Sequence, residues 1–389
     1  MKKKIAILGS TGSIGKSLIN IINKDKKNFQ IVLLTANENY KDIIKQAKVF
    51  NVKNLIITNE KYYKIAKLKT IKDKINIYND FTNLNKIFKK KIDYTMSSIT
   101  GLNGLNPTIK IIKYTKKIAI ANKESIICAW NIIKKELKRN NTKFLPVDSE
   151  HFSIMYALKN NNLSNIDQIF LTASGGPFLK HSLKKLNNVS PKHALKHPNW
   201  KMGNKISIDS ATLMNKVFEV IEAKNIFEIS YANLSILIHP KSYVHAVVKF
   251  KNGLTKVIIH DTDMSIPIHN TLYDENIPFN KSTKLDFEKM NNLNFQNVNK
   301  KKFPVIKILK VLPKKSSLFE TVLVSANDKL VNLFLKKKIK FIDINKFLFR
   351  VIQSKEYRTL KNIQPKFTKD IINLSKNVHS KIDKIIYKL

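Results

Sequence analysis

The sequence predicts an α/β chain built as a Rossmann-like N-terminal domain, a central α+β domain and a C-terminal helical domain. Three observations predict it. A glycine-spaced turn, with Gly9, Gly12 and Gly15 three residues apart, stands between an apolar run at 5–8 and an amphipathic stretch at 16–22. Short apolar runs then alternate with helical patterns up to residue 147, the rhythm of βα units around a parallel sheet. From residue 301 onward the apolar spacing is helical, at 303–311, 318–326, 329–335, 344–353 and 366–389. The boundaries read as 1–147, 148–273, a polar linker at 274–300, and 301–389.

Residues 5–8 form the first strand, and Gly9-Ser10-Thr11-Gly12-Ser13-Ile14-Gly15 the turn into the first helix. Glycines there permit a tight turn and let the backbone approach a pyrophosphate seated on the helix N-terminus, the layout of a dinucleotide site. A glycine-rich turn without a ligand fits the same letters. The second strand, 31–35, leads into Ala36-Asn37-Glu38-Asn39, where such folds discriminate the adenosine ribose. Strands at 55–58, 93–97 and 118–121 follow. The last two end at residues 100–104 and at Asn122-Lys123-Glu124-Ser125. Ligands of open α/β sheets collect at the carboxyl ends of strands. Lys123 and Glu124 are therefore candidates for the lip of a cofactor site, and also read as plain surface charges.

Among the 389 residues, 71 Lys or Arg against 28 Asp or Glu give a formal charge of +43. Such a charge attracts polyanions. The lysines, however, are spread along the chain among Asn and Ile, and no basic arm, zinc-finger spacing or aromatic RNA-binding motif accompanies them. That is compositional drift, and no specific nucleic-acid partner is expected. The single cysteine, Cys128, excludes an intramolecular disulfide and fits a reducing compartment. No apolar run approaches the roughly 20 residues of a membrane helix. The run behind Met1-Lys2-Lys3-Lys4 stops at Gly9, short of a signal-peptide core. The expectation is a cytoplasmic protein with no membrane partner.

The middle of the chain is organised around residues 197–222, HPNWKMGNKISIDSATLMNKVFEVIE. Ile206 and Ile208 alternate with Ser207 and Asp209, which predicts a short strand; Asp209-Ser210 then caps a helix over 211–223. On that helix Asn215 and Glu219 are four apart and Lys216 and Glu219 three apart, so all three share a face. Ser210, Asn215 and Lys216 offer a hydroxyl, an amide and a cation near a helix start, a cradle for phosphate. Glu219 is then free to bind a hard metal. A solvated face with an ordinary Lys–Glu pair fits the same spacing. In the loop before it, bulky Trp200 and Met202 lie between Pro198 and Gly203. Such residues close over a ligand, or plug into the core.

Asp148 and Glu150, two apart behind Phe144-Leu145-Pro146-Val147, point the same way on an extended segment, and adjacent carboxylates call for a cation between them. With Glu219 they make three oxygen donors suited to Mg2+ or Mn2+, without the Cys-type ligation of structural zinc. Asp148-Ser149 equally reads as the cap of a helix from His151. Ser174 lies in a second glycine-rich turn, 172–178, after a strand at 169–171, and offers a hydroxyl to phosphate. His239 follows a strand at 236–238 and His245 lies within one at 243–250; such histidines are structural or catalytic.

Six blocks occur together and in order: GSTGSIG (9–15), ANKES (121–125), PVDSEH (146–151), TASGGPF (172–178), HPNWKMGNKISIDSATLMNK (197–216) and IHPKSYVH (238–245). They closely resemble the 1-deoxy-D-xylulose 5-phosphate reductoisomerase family over essentially the full length. The resemblance implies an NADPH-binding N-terminal domain, a central catalytic domain and a C-terminal helical domain, in a homodimer. It implies a divalent metal (Mg2+, Mn2+ or Co2+) on Asp148, Glu150 and Glu219. It implies substrate contacts from Ser149, Ser174, His197, Ser210, Asn215, Lys216 and Glu219 under a lid holding Trp200 and Met202. Catalytic roles fall on Ser149, Glu150, Lys216 and His245. The cofactor is expected against Gly9, Ser10, Thr11, Gly12, Ser13, Ile14, Asn37, Asn39, Asn122, Lys123, Glu124 and Gly203. The implied reaction is a retro-aldol and re-aldol rearrangement followed by hydride transfer from NADPH. It yields 2-C-methyl-D-erythritol 4-phosphate for non-mevalonate isoprenoid synthesis.

Three features depart from the family pattern. Asn37-Glu38 stands where members often carry Gly-Lys; a carboxylate opposes a 2′-phosphate and suits a ribose hydroxyl, as in NAD enzymes. His260-Asp261-Thr262-Asp263-Met264-Ser265 replaces a Gly-Glu-Pro-Asp-Met-Arg type run near the dimer contact. The helical tail has drifted. Another nicotinamide-dependent dehydrogenase of a phosphorylated sugar or aldehyde is the second enzyme reading, and a basic nucleic-acid-binding protein the reading from another class.

Overall fold

Seven strands near the start of the chain, β1 (Lys3–Leu8), β2 (Phe29–Ala36), β3 (Asn54–Ile57), β4 (Asn76–Tyr78), β5 (Ile92–Ser97), β6 (Thr115–Ile120) and β7 (Lys143–Pro146), form one sheet in the order β4-β3-β2-β1-β5-β6-β7. Every pairing in it is parallel. Parallel sheets are covered on both faces, and Ile5, Ala6, Ile7 and Leu8 accordingly have no exposed surface. The strand order reverses beside β1, the switch point at which doubly wound sheets bind ligands. The structure, a computed structural model, describes residues 1–200, 202–273 and 286–387. They fall into two units. One comprises Met1–Ser125, Ile133–Asp148 and Met264–Phe279, the other Ile126–Ile132, Ser149–Asp263 and Asn280–Leu389.

The turn after β1 shows why glycine is required there. Gly9 has φ +81°, and a Cβ on Gly15 would lie 2.4 Å from the Gly9 carbonyl oxygen. Only a bare backbone lets the helix Ser13–Lys24 sit down on the turn. A helix from much later in the chain, Ser265–Tyr273, returns to this unit. Its Ile268 and Leu272 join the core with Ile5, Leu18 and Ile22, and Tyr273 Oη donates to Asp25 Oδ2 at 2.7 Å.

The second unit holds β8 (Ile166–Ala173), β9 (Leu234–Ile238), β10 (Val244–Phe250), β11 (Thr255–Ile259) and β12 (Gln296–Asn297), ordered β11-β10-β8-β9-β12. β8 and β9 are parallel and the other pairs antiparallel. One face of this mixed sheet packs Ile169, Leu171, Ala246 and Val248 with Ile154 and Ala157 of the helix Ser149–Leu158 and Val220 and Ala223 of the helix Met214–Phe227. The helices Leu318–Leu335, Phe341–Ile352 and Thr368–Tyr387 make the helical C-terminal part.

Several elements differ from the sequence-based expectation. Residues 206–209 are not a strand: Asn204–Thr212 is a helix, Leu213 turns left-handed at φ 64°, and Met214–Phe227 is a second helix. Asp209 is buried because it has partners inside. Lys205 reaches it at 3.1 Å four residues back, and Asn327 donates to its Oδ1 at 2.7 Å. The same contacts explain why the helix Leu318–Leu335 runs unbroken where two were expected: Asn327 and Asp328 are spent on tertiary bonds to Asp209 and Lys205. Pro304–Lys310 is a 3-10 helix. Of the expected linker, 274–285 lie outside the described residues; the remainder carries the short helix Phe287–Asn291 and β12. Among the described residues no helix is long and apolar enough to cross a membrane.

Candidate active site

In the first unit the helix Ser13–Lys24 starts behind Gly12 with no side-chain cap. Its leading N–H groups suit an anion. Ser10 is buried, and both its amide (2.9 Å) and its Oγ (3.3 Å) bond to the Thr35 carbonyl, so its side chain ties the turn to β2. Thr35 Oγ1 in turn accepts from the Gly9 amide at 2.9 Å. At the end of β2, Asn37 accepts from Thr58 Oγ1 (2.9 Å) and Asn39 caps the helix Tyr40–Phe50 by accepting from the Asp42 amide (3.2 Å). Glu38 is exposed, with Asn59 Nδ2 at 3.5 Å. Asn122 caps the helix Lys123–Arg139, and its amide donates to the Ile99 and Gly101 carbonyls (2.6 and 2.9 Å) and to Glu124 (3.2 Å). Lys123 donates to Asp148.

In the second unit Asn215, Lys216 and Glu219 share one face of the helix Met214–Phe227. Lys216, only 4% exposed, donates to Glu150 Oε1 at 2.6 Å and to Glu219, which is 1% exposed. Asn215 donates to Glu219, and Ser149 Oγ to Glu150 Oε2 at 2.5 Å. Carboxylate oxygens of Glu150 and Glu219 come within 4.8 Å of each other. A solvated ion pair is excluded by this burial. Burial works against the Lys216 charge, but Glu150 and Glu219 outweigh it and hold the ammonium above its usual pKa. Glu150 stands in the first turn of its helix, directly behind Asp148 and Ser149 in the chain. His151, given no role by the sequence, is fully buried and bonds through Nε2 to the Glu219 carbonyl at 2.9 Å.

His197 is a hub. Its Nδ1 accepts from the amides of Asn199 (3.2 Å) and Trp200 (2.9 Å), so the proton of the neutral ring lies on Nε2. That nitrogen is 3.1 Å from both Ser174 Oγ and Ser210 Oγ. Burial pulls the His197 pKa down to about 4, which keeps the ring neutral at physiological pH. The turn carrying Ser174 is wedged against Ser210: Gly176 has φ +66°, and a Cβ on it would lie 2.7 Å from the Ser210 carbonyl oxygen. Asn199 clips the loop down by donating to the Pro240 carbonyl (2.6 Å) and Ser242 Oγ (2.9 Å). Met202 is half-buried, Gly203 caps the helix Asn204–Thr212, and Lys201 lies outside the described residues. One expectation is corrected. Ser210 lies in the last turn of its helix, not at a helix start; the next helix opens at Met214, whose amide donates to Thr212 Oγ1 at 3.3 Å, while the Lys216 amide donates to the Leu213 carbonyl at 3.2 Å.

His245 sits where the pairing of β10 with β11 slips between Val244 and Ala246. Its Nε2 lies 3.0 Å from the His260 carbonyl, and its ring stacks on the His260 ring with centroids 3.6 Å apart. The Trp200 indole meets His245 edge-on at 5.9 Å. The sequence put His260 in no site; the signal was a histidine directly after a strand, as at His239.

A glycine turn at the switch point of a parallel sheet, carried in one chain with a buried acidic centre and a hydroxyl–imidazole cluster, defines a dinucleotide-dependent oxidoreductase. Comparison with known proteins narrows the class. Residues 5–130 match 1-deoxy-D-xylulose 5-phosphate reductoisomerase, residues 144–227 the C-terminal domain of 1-deoxy-D-xylulose 5-phosphate reductoisomerase, and residues 259–380 the DXP reductoisomerase C-terminal domain. The 1-deoxy-D-xylulose 5-phosphate reductoisomerase of Pelagibacter ubique (strain HTCC1062) is 56% identical over 98% of this chain and 98% of its own length. That of Sulfurihydrogenibium sp. is 38% identical with the same coverage of both. The structure of the Zymomonas mobilis reductoisomerase in complex with NADPH superposes with a TM-score of 0.89 at 31% identity, covering 100% of both chains. A reductoisomerase in complex with NADPH, fosmidomycin and magnesium gives 0.91 at 29% identity, covering 99% of this chain and 98% of that one. The chain belongs to the 1-deoxy-D-xylulose 5-phosphate reductoisomerase family.

Proposed function

We propose that this protein converts 1-deoxy-D-xylulose 5-phosphate to 2-C-methyl-D-erythritol 4-phosphate by metal-dependent rearrangement and NADPH reduction, in non-mevalonate isoprenoid synthesis. The observation that carries this reading is the buried Lys216 ammonium bonded to Glu150 and Glu219 at once. A cation already satisfies these hard oxygen donors, and no thiolate accompanies them, which fits Mg2+, Mn2+ or Co2+ on Asp148, Glu150 and Glu219. NADPH is assigned to residues 1–147, catalysis to 148–273, and a helical supporting role to 301–389, with 274–300 as linker. The uncapped start of the helix Ser13–Lys24 supports the first of these.

When bound, the metal supplies Lewis acidity to neighbouring substrate oxygens and NADPH supplies hydride. The chain supplies the rest. Ser149 and Lys216 fix the Glu150 carboxylate, and Asn215 and Lys216 that of Glu219. Ser174, Ser210 and the neutral His197 gather hydroxyl and N–H donors for the substrate phosphate, with Asn215 and Lys216 adding an amide and a charge. Trp200 and Met202 exclude water over the bound substrate. His245 touches the substrate from β10. Binding of the remote phosphate aligns the reacting carbons.

The protein is further assigned to the cytoplasm as a homodimer. The edge strand β11 supports the dimer: beside and on it Leu254 is 66% and Val257 40% exposed. The test of the whole reading follows loss of reduced-cofactor absorbance with 1-deoxy-D-xylulose 5-phosphate, with Mn2+ and then with chelator. Metal-dependent turnover is expected. Folded protein that binds NADPH and turns over nothing overturns it.

A further inference from the structure

We propose that His260 is a positioning residue of this site: its imidazole, stacked on that of His245, sets the plane of the ring against which Trp200 closes. The inference rests on the reading of His245 and Trp200 as site residues. Three observations carry it.

First, the two rings are nearly parallel, 8° apart with centroids at 3.6 Å, while the Trp200 indole meets His245 at 77°. Three aromatic groups thus form a stack with a cross-piece. Second, the slip between Val244 and Ala246 is what brings His245 over β11's end, since bulges re-aim a side chain. The backbone there is pinned by the His260 amide donating to the Tyr243 carbonyl at 3.1 Å. Third, the polar atoms of His260 serve its own placement. Nδ1 donates to the Asp261 carbonyl at 2.7 Å, Phe152 meets the ring edge-on at 6.3 Å, and Nε2 is buried with no hydrogen-bond partner. A ring with its outer nitrogen unused is held for its face. The His260 carbonyl meanwhile accepts from His245 Nε2 at 3.0 Å. It thereby fixes the tautomer in which neutral His245 keeps its lone pair on Nδ1. Without the His260 ring, His245 keeps that bond but loses the face on which it stacks, and with it the plane against which Trp200 is seated.

The test uses His260→Ala, His260→Phe and His260→Gln in a Trp130→Phe background, which leaves Trp200 as the sole tryptophan. Two quantities are read: kcat and KM for 1-deoxy-D-xylulose 5-phosphate with NADPH and Mn2+, and the change in Trp200 fluorescence on adding fosmidomycin with Mg2+. His260→Ala is expected to raise KM about tenfold with kcat within about threefold, and to flatten the fluorescence change. His260→Phe, which keeps a stacking face, restores both to within about threefold. His260→Gln, polar but unable to stack, follows Ala; if Ala does not fold, the Phe–Gln pair decides. Unchanged KM and fluorescence in the Ala or Gln variant overturns the proposal, as does Phe behaving no better than Gln. Absence of turnover in the parent protein overturns the functional reading, and this inference with it; turnover in the parent with indifferent His260 variants overturns this inference alone.

Discussion

Lys216 Nζ and Glu150 Oε1 meet at 2.6 Å although 66 residues separate them, and the same ammonium bonds Glu219 one helical turn away. A charge buried between two carboxylates is a centre whose members cannot be exchanged singly. Removing one partner of a buried pair leaves an uncompensated charge. Glu219→Gln keeps the volume and a bond for Asn215 but removes a negative charge. Turnover is expected to fall at least about a hundredfold, and the Mn2+ needed for half-maximal activity to rise about tenfold or more. A metal titration of the variant decides it; an unchanged Mn2+ requirement removes Glu219 from the ligand set.

His197 is poised to stay neutral. Burial lowers its pKa to about 4 from an ordinary 6.5. A histidine whose folded pKa is depressed binds its proton more readily when unfolded. Its contribution to stability is therefore complete above about pH 6.5 and is lost as pH falls towards about 4. His239, His269 and His379 are shifted the same way by burial. Between pH 7 and 4.5 the urea midpoint of His197→Asn is expected to fall less, or rise more, than that of the parent, and the variant's KM for the phosphorylated substrate to rise. An identical acid slope in the variant refutes the assignment to His197.

Glu320 shows the opposite sign. It has no exposed surface, and its Oε1 lacks a hydrogen-bond partner while Oε2 accepts from Ser317. Burial raises its pKa to about 7 from 4.5, against the lowering effect of the Ser317 bond. The folded state thus holds the proton, and stability is lost as pH rises from about 4.5 through about 7. Glu320→Gln preserves the capping box with Ser317 and removes the titration. It should stabilise the protein by roughly 3 kcal/mol at pH 8 and by little at pH 4.5. Thermal melts at the two pH values measure this; equal shifts at both reject it.

The parallel sheet was legible because strands covered on both faces are runs of Ile, Leu and Val, and the glycine turn because its spacing answers a backbone requirement. The spacing of Asn215, Lys216 and Glu219 placed them on one face. Periodicity gives no depth, so it left open whether that face was wet; only the partner Glu150, far off in sequence, settles it. The helix Asn204–Thr212 was misread because the alternation of Ile206, Ser207, Ile208 and Asp209 assumes that Asp faces water. Here Lys205, Asn327 and Asp328 form the polar lining that lets it face inward. His260 stayed hidden for a related reason. It meets His245 through a slip in strand register, which no pattern of single residues encodes.

Glu38 offers the last test, because it sets the chain's own chemistry against the cofactor named in its relatives' complexes. It is exposed at the end of β2, beside Asn39, which caps the following helix. A carboxylate there can accept from a ribose 2′-hydroxyl and repels a 2′-phosphate. Preference for NADPH over NADH should therefore be weaker in this protein than in its Glu38→Lys variant, by about tenfold in the ratio of dissociation constants. Quenching of reduced-nicotinamide fluorescence, titrated for both cofactors, gives that ratio without turnover. Since an exposed charge is screened by salt, the gap between the two proteins should narrow as ionic strength rises. A parent protein that prefers NADPH as strongly as the lysine variant leaves Glu38 without a part in the choice.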